Sequence, residues 1–125
     1  MSDTDCFEVI TKYDSHFDML GIKKINKYKY NKSVEMRDGV ILDFDTDDKP
    51  AALQIIDASK LFNIPKSSFH NIPMVEMSIK INESCIRLDL TIGVHVHNKK
   101  MEQTFNSLID NISGLPNFEA DLATA

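Results

Sequence analysis

From Val75 to Val96 the apolar positions keep one parity, change it once, and then keep the other. Val75, Met77, Ile79 and Ile81 alternate with Glu76, Ser78 and Lys80. Beyond the change, Ile86, Leu88, Leu90, Ile92, Val94 and Val96 alternate with Arg87, Asp89, Thr91, His95 and His97. A period of two belongs to a half-buried strand. A tight turn through Asn82, Glu83 and Ser84 with an even number of loop residues brings both apolar sets to one side of a hairpin. A slip of one residue would expose a whole set. Four large apolar side chains at about 1.5–3 kcal/mol each make that slip cost about 6–12 kcal/mol, comparable to the roughly 5–15 kcal/mol of a whole domain. The register is therefore determined, with Gly93 marking a bulge or bend in the second strand.

A second hairpin is predicted upstream. Val40, Leu42 and Phe44 alternate with Ile41, Asp43 and Asp45, Thr46 to Pro50 is a polar turn cluster, and AALQIID returns. The expected register sets Phe44 opposite Leu53, Leu42 opposite Ile55 and Ile41 opposite Ile56. Before it, FEVITKY (Phe7 to Tyr13) and FDMLGIKKI (Phe17 to Ile25) read as strands around the turn Asp14-Ser15-His16, and NKYKYNKS reads as a loop or a lysine-blunted edge strand. Asp57 is the expected N-cap of a short helix reaching Phe62, and Pro65 permits another helical start. Asn63-Ile64-Pro65 and Asn71-Ile72-Pro73 are punctuation. MEQTFNSLIDNI, residues 101–112, fits either a last strand or an amphipathic helix.

These elements predict an α+β fold, predominantly β: one domain over residues 1–125, with a largely antiparallel sheet of about six or seven strands and one or two short helices. Residues 1–5 and 117–125 are expected to be flexible ends. Little helix is available to cover the apolar face of such a sheet, so it must fold over itself or pair with another subunit. A homodimer is the expectation.

Composition narrows the functional classes. The chain has 125 residues and a formal net charge of -5, which argues against general nucleic-acid or anionic-membrane binding, since both need a positive field. Cys6 and Cys85 form no C-x-x-C motif, so neither a disulfide framework nor a zinc ribbon is signalled. The start MSDTDCFEVI is acidic where a signal peptide is basic, and no stretch has the roughly 18 apolar residues of a membrane span. A cytoplasmic protein is the resulting expectation.

Candidate chemistry is sparse. Four aspartates crowd residues 43–48, but an EF-hand counted from Asp43 would need glycine where Asp48 stands and glutamate where Gln54 stands. A solvated acidic turn fits better. His95 and His97, expected on one side of a strand, are the candidate metal ligands and carry the alternative reading of a metal- or small-ligand-binding module; zinc would require further ligands from elsewhere. Lys23, Lys24, Lys27, Lys29 and Lys32, interleaved with Tyr28 and Tyr30, form the one basic island and are the candidate contacts to single-stranded nucleic acid. An edge of solvated lysines is the competing and favoured explanation. Gly21, Gly39, Gly93 and Gly114 are isolated, and neither a G-x-S-x-G nor an H-E-x-x-H motif occurs. His16, His70, Asp14 and Asp57 are loose catalytic candidates that nothing links, so no catalytic residue and no cofactor is assigned.

Two segments carry a family resemblance. YDSHFDMLGI resembles an opening Y-D-x-x-x-D-x-L-Y-I, and GVILDFDTDDKPAALQIIDASK resembles G-V-I-L-D-x-D-x-x-G-x-x-x-G-I-E-I-L-D-A-S-K, both of the DUF2283 family of small prokaryotic domains. The resemblance runs from about Tyr13 to Leu61. It departs at Gly21, where the family usually has an aromatic residue, at Lys49, where it often has a turn glycine, and at Ala52, where it often has glycine. The half after Leu61 looks like a longer, archaeal-type version. The resemblance implies a small β-rich domain without established activity, carries over no catalytic residue, and implies partner binding through relatives found beside toxin-like genes. The functional expectation is a non-catalytic protein-interaction or structural domain.

Overall fold

Alternating side chains shape nearly the whole chain into strands. The computed structural model describes residues 4–125, and among them nine strands form one sheet: β1 (Asp5–Asp14), β2 (Met19–Lys24), β3 (Tyr30–Arg37), β4 (Val40–Asp45), β5 (Pro50–Ile56), β6 (Met74–Ile81), β7 (Cys85–Val96), β8 (Lys99–Asp110) and β9 (Phe118–Ala123). Helix is confined to α1 (Ala58–Phe62) and a 3-10 turn at Lys66–His70. The protein is therefore predominantly β, as expected, with more strands than the six or seven predicted. The polar lysine stretch contributes edge strand β3, and residues 101–112 contribute most of β8.

Strand order is β3-β4-β5-β2-β1-β9-β6-β7-β8. Strands β6 to β9 form a Greek key, three hairpin-connected strands with the fourth returning beside the first. Strands β2 to β5 repeat that order with the chain direction reversed. Strand β1 joins the two, antiparallel to β2 and parallel to β9. That parallel seam is the departure from an antiparallel sheet. It also corrects the expected flexible end at 117–125, because Ala120 and Leu122 are buried in the middle of the sheet. At the other end, residues 1–3 lie outside the described residues and Asp5 already opens β1.

The sheet curls into a half-barrel with its apolar face inside. Its edge strands touch locally, without pairing, where Ser107 Oγ donates to Met36 O at 2.5 Å and the Arg37 guanidinium lies 5.8 Å from the Phe105 ring centroid. Residues of both halves share one core, with Leu20, Ile22, Leu42, Phe44, Leu53 and Ile55 facing Ile79, Leu88, Leu90, Ile92 and Leu122. The sheet thus folds over itself, and the broad apolar face that motivated a homodimer is covered within one chain.

Register follows the parity argument in the later hairpin. Val75 pairs with Ile92, Met77 with Leu90, Ile79 with Leu88 and Ile81 with Ile86. The Asn82 side chain accepts the N–H groups of Ser84 and Cys85, both at 2.8 Å, and fixes the turn. In β4–β5 the faces are as predicted but the pairing is displaced by two residues: Leu42 opposes Leu53 and Val40 opposes Ile55. The turn is shorter than the polar cluster suggests. Asp45 N–H donates to Lys49 O at 2.9 Å, Asp48 N–H donates to Asp45 O at 3.1 Å, and Asp48 takes the left-handed position at φ 59°. This is the three-residue hairpin geometry, with Asp48 rather than Lys49 where glycine would be favoured.

The β5–β6 connection crosses the open side of the half-barrel, burying Ala58, Phe62, Ile64, Phe69 and Ile72. Its helix is not capped by Asp57, which is left-handed at φ 56° and makes no capping bond. Asp18 does that work from the β1–β2 turn. Its carboxylate accepts Ser59 N–H at 3.1 Å, Ser59 Oγ–H at 2.5 Å and Tyr13 O–H at 2.6 Å, while its carbonyl accepts Ala58 N–H at 3.0 Å. Tyr13 in turn stacks on Phe69 at 5.0 Å.

Burial by itself would raise the Asp18 carboxyl, but hydrogen bonds from Ser59 and Tyr13 outweigh it and hold the group below the usual aspartate range. Burial opposes ionisation of Asp45 as well, and the N–H groups of Lys49 and Asp47, followed by Lys24, pull it below that range. A depressed folded-state value stabilises the fold above the unfolded value of 3.8 and is lost as pH falls through the folded value. We therefore expect urea stability to decline below about pH 4. Asp18→Ala should cost about 2–3 kcal/mol at pH 7 and progressively less toward pH 2. An equal penalty at both pH values would disprove the charge-assisted cap.

Candidate binding groove on the outer face

On the outside of the first half, strand registers set up two cross-strand rows. One runs Lys12, Gly21, Gln54, Ile41, Glu35, and the other Ile10, Lys23, Ala52, Asp43, Ser33. Gly21 and Ala52 are diagonal neighbours in these rows, so the sheet is nearly bare there. The result is a groove of about 410 Å³ walled by Ile10, Met19 and Tyr28 and edged by Lys12, Lys23 and Gln54. A Cβ at Gly21 would meet only Lys12 O, at 3.6 Å, an ordinary contact. Glycine is not demanded by the backbone at that position, and its effect is to leave the floor open.

The wall formed by Tyr28 is held from behind. Lys24, expected among nucleic-acid contacts, is instead buried, with its ammonium 3.2 Å from Asp45 Oδ2, 5.0 Å from the Phe7 ring centroid and 5.7 Å from that of Tyr28. A cation seated between two aromatic faces with a carboxylate partner is well compensated for its burial. Burial and then the charge of Asp43 push the Tyr28 hydroxyl above the usual phenol range, so it stays a neutral donor through physiological pH.

Carboxylates of the acidic segment are engaged internally. Asp43 accepts Ser33 Oγ–H at 2.6 Å and Gln54 Nε2–H at 2.8 Å. Asp45 accepts Asp47 N–H at 2.9 Å and Lys49 N–H at 3.0 Å in addition to Lys24. At the groove's end Asp14 accepts the N–H of His16 at 2.9 Å and of Phe17 at 3.3 Å. These are the bonds of a turn and a bulged hairpin; the acidic turn expected from the sequence is present, but Asp43 and Asp45 are buried on internal donors rather than solvated.

The other predicted positions are scattered. His95 is exposed opposite Lys100 near the end of β7. His97 is not on the strand: with Asn98 it makes the two-residue β7–β8 turn, at φ 50° and 65°, the paired left-handed geometry of a tight hairpin. Among the described residues no group of three or more His, Cys, Asp or Glu side chains gathers as a metal site. Lys27 and Lys29 are exposed, Lys32 lies 3.7 Å from Asp48, and Tyr30 shares a 2.7 Å hydrogen bond with Ser33. Of the basic island only Lys23 and Tyr28 reach the groove. His16 packs on Phe17 and His70 on Tyr13, with Asp57 outside helix α1. No helix among the described residues is long and apolar enough to cross a membrane. Sequence reasoning missed the groove because its floor is made by small side chains on two strands whose pairing could not be read in advance.

Residues 10–59 match the family described as "Protein of unknown function (DUF2283)". Every groove-lining residue falls inside that span. The chain is also 37% identical over 110 residues to a protein of Methanosarcina mazei named "Putative hypoxanthine phosphoribosyltransferase", an alignment that covers 86% of this chain and 88% of the relative. No solved structure matches the chain. By this match the segment from Ile10 to Ser59 belongs to the DUF2283 family.

Proposed function

We propose that this protein is a non-catalytic binding module whose working surface is the groove over Gly21 and Ala52. The observation that carries the reading is a preformed, largely apolar concavity on the outer face of the sheet, with its aromatic wall in contact with a buried ion pair. Ligand sites are commonly such concave, largely apolar places with a few fixed polar groups. Supporting the absence of catalysis, the carboxylates held below their ordinary range, Asp18 and Asp45, are committed to the α1 cap and the β4–β5 turn.

The relative's name suggests transfer of a phosphoribosyl group to hypoxanthine, which requires a place for phosphates. A helix N-terminus is a common one. Here the N-terminus of α1 is already filled by the Asp18 carboxylate. That helix end is closed to a phosphate, and the carboxylates of the groove, Asp14 and Asp43, are held by protein donors. On the non-catalytic reading we therefore expect no nucleotide to form when the protein is incubated with hypoxanthine and phosphoribosyl pyrophosphate and the mixture is followed by chromatography. Turnover would overturn the non-catalytic reading.

Binding is tested separately by amide NMR with a panel of neutral, cationic and anionic aromatic compounds. Shifts are expected at Gly21, Ala52 and Gln54, and Gly21→Leu should remove them by filling the floor. Compounds that move only resonances elsewhere, or that bind Gly21→Leu equally well, would refute the groove as the working surface.

A further inference from the structure

Resting on the groove reading, we infer that its ligand combines a planar aromatic ring with an anionic group, the chemistry of a mononucleotide. The first ground is an imbalance of charge availability. The carboxylates lining the groove, Asp14 and Asp43, already accept two hydrogen bonds each from the protein. The ammonium groups lining it, Lys12 and Lys23, have no ion-pair partner among the described residues. Formally the lining is neutral, but its carboxylates are anchored to the protein while its two ammonium groups are free to move onto a ligand.

Position strengthens this ground. Lys12 pairs with Gly21 and Lys23 stands two residues further along β2, so the two lysines are diagonal neighbours across the strands, roughly 7–8 Å apart at the backbone. Two long ammonium side chains with that spacing can close on one phosphate or carboxylate. Charge-assisted bonds of this kind are about twice as strong as neutral ones.

The second ground is the shape and rigidity of the apolar part. Gly21 and Ala52 leave a flat floor, Ile10 and Met19 bound it, and Tyr28 supplies an aromatic wall. Lys24 pins that wall from the inner side through its contact with the Tyr28 ring and its bond to Asp45. A ring already ordered before binding stacks on a planar ligand without a further ordering penalty. Gln54 completes the edge. Its Nε2 donates to Asp43, which orients the amide so that its carbonyl oxygen can accept from a ring N–H.

Calorimetry on the intact chain tests the assignment with adenosine and guanosine monophosphates, the corresponding nucleosides, inorganic phosphate, benzoate and a short single-stranded RNA. The monophosphates should bind about tenfold more tightly than their nucleosides, as expected for added charge-assisted bonds, and more tightly than phosphate alone. Lys12→Gln with Lys23→Gln should erase the difference between monophosphate and nucleoside. Tyr28→Leu should weaken both by about tenfold or more, as loss of stacking does, and Gly21→Leu should abolish binding of both. The double lysine variant changes exposed side chains, so its melting temperature should stay that of the wild type and the comparison remains interpretable. Benzoate binding as well as a monophosphate would assign a carboxylate rather than a phosphate to the lysine pair, within the same chemistry. Nucleosides binding as tightly as monophosphates would overturn the anion-binding half of the inference while leaving the groove intact. Tighter binding of RNA with loss in Lys27→Gln would overturn the small-molecule assignment in favour of a strand, and no shift at Gly21 with any compound would remove the groove itself.

Discussion

Seven side chains of the first half, Leu20, Ile22, Val40, Leu42, Phe44, Leu53 and Ile55, have nowhere to avoid water except against β6–β9. Each is at most 1% exposed. At about 1.5–3 kcal/mol per large apolar side chain, leaving them in water would cost about 10–20 kcal/mol, against a typical domain stability of about 5–15 kcal/mol. The two Greek keys are therefore mutually dependent. Neither inner face is satisfied alone, and the short helical segments across the open side could not cover either one. The parallel β1–β9 seam is what holds the two faces in one sheet while they close on each other.

This dependence separates stability from surface. The family match ends at Ser59, before any of the strands that cover its inner face. Within this chain the second half acts as the cover, and the first half is left with an outer face whose composition is under no packing demand. Buried rows must be apolar and of the right volume. Outer rows need only be compatible with the strand. A glycine and an alanine can thus sit side by side on the outside of β2 and β5 without loss of core, and a groove forms where a packed interior would have a void.

Parity explains how much could be read in advance. In the β6–β7 hairpin the faces were legible because a one-residue error inverts a whole apolar set, and the short turn through Asn82, Glu83 and Ser84 leaves little room for a shift of two. The β4–β5 register was legible only to its faces, since a shift of two residues preserves them; the turn that decides it depends on Asp48 adopting φ 59° and on Asp45 collecting two backbone N–H groups. Strand β9 was missed although Phe118, Ala120 and Leu122 alternate with Glu119 and Asp121, because three such positions at the end of the chain read as fraying; its place is set by pairing with both β1 and β6. The cap on α1 was assigned to the adjacent Asp57 because sequence reasoning searches locally; Asp18 stands 41 residues from Ser59. Likewise, period-two alternation carried His97 into the strand, although the left-handed pair His97-Asn98 closes the hairpin.

The acidic run and Gly21 show why conspicuous residues and functional ones need not coincide. Aspartates at 43, 45 and 48 draw attention as a cluster, yet Asp43 and Asp45 are absorbed by hydroxyl, amide, ammonium and backbone donors, and Asp48 serves through its backbone conformation. Carboxylates anchored by several protein donors keep fewer acceptor sites for a ligand. Gly21, by contrast, contributes no atom beyond the backbone and acts through the space it leaves, which has meaning only once Ile10, Met19, Tyr28 and Ala52 are placed around it. Its departure from the family pattern was visible in the sequence as a missing aromatic. What that absence does depends on β2 lying between β1 and β5 with Gly21 directed outward, a fact of topology. Lys24 completes the argument from the other side of the same strand: the lysine most deeply placed in the basic island is the one unavailable to a ligand, and its ammonium lies against the ring of the tyrosine that walls the groove.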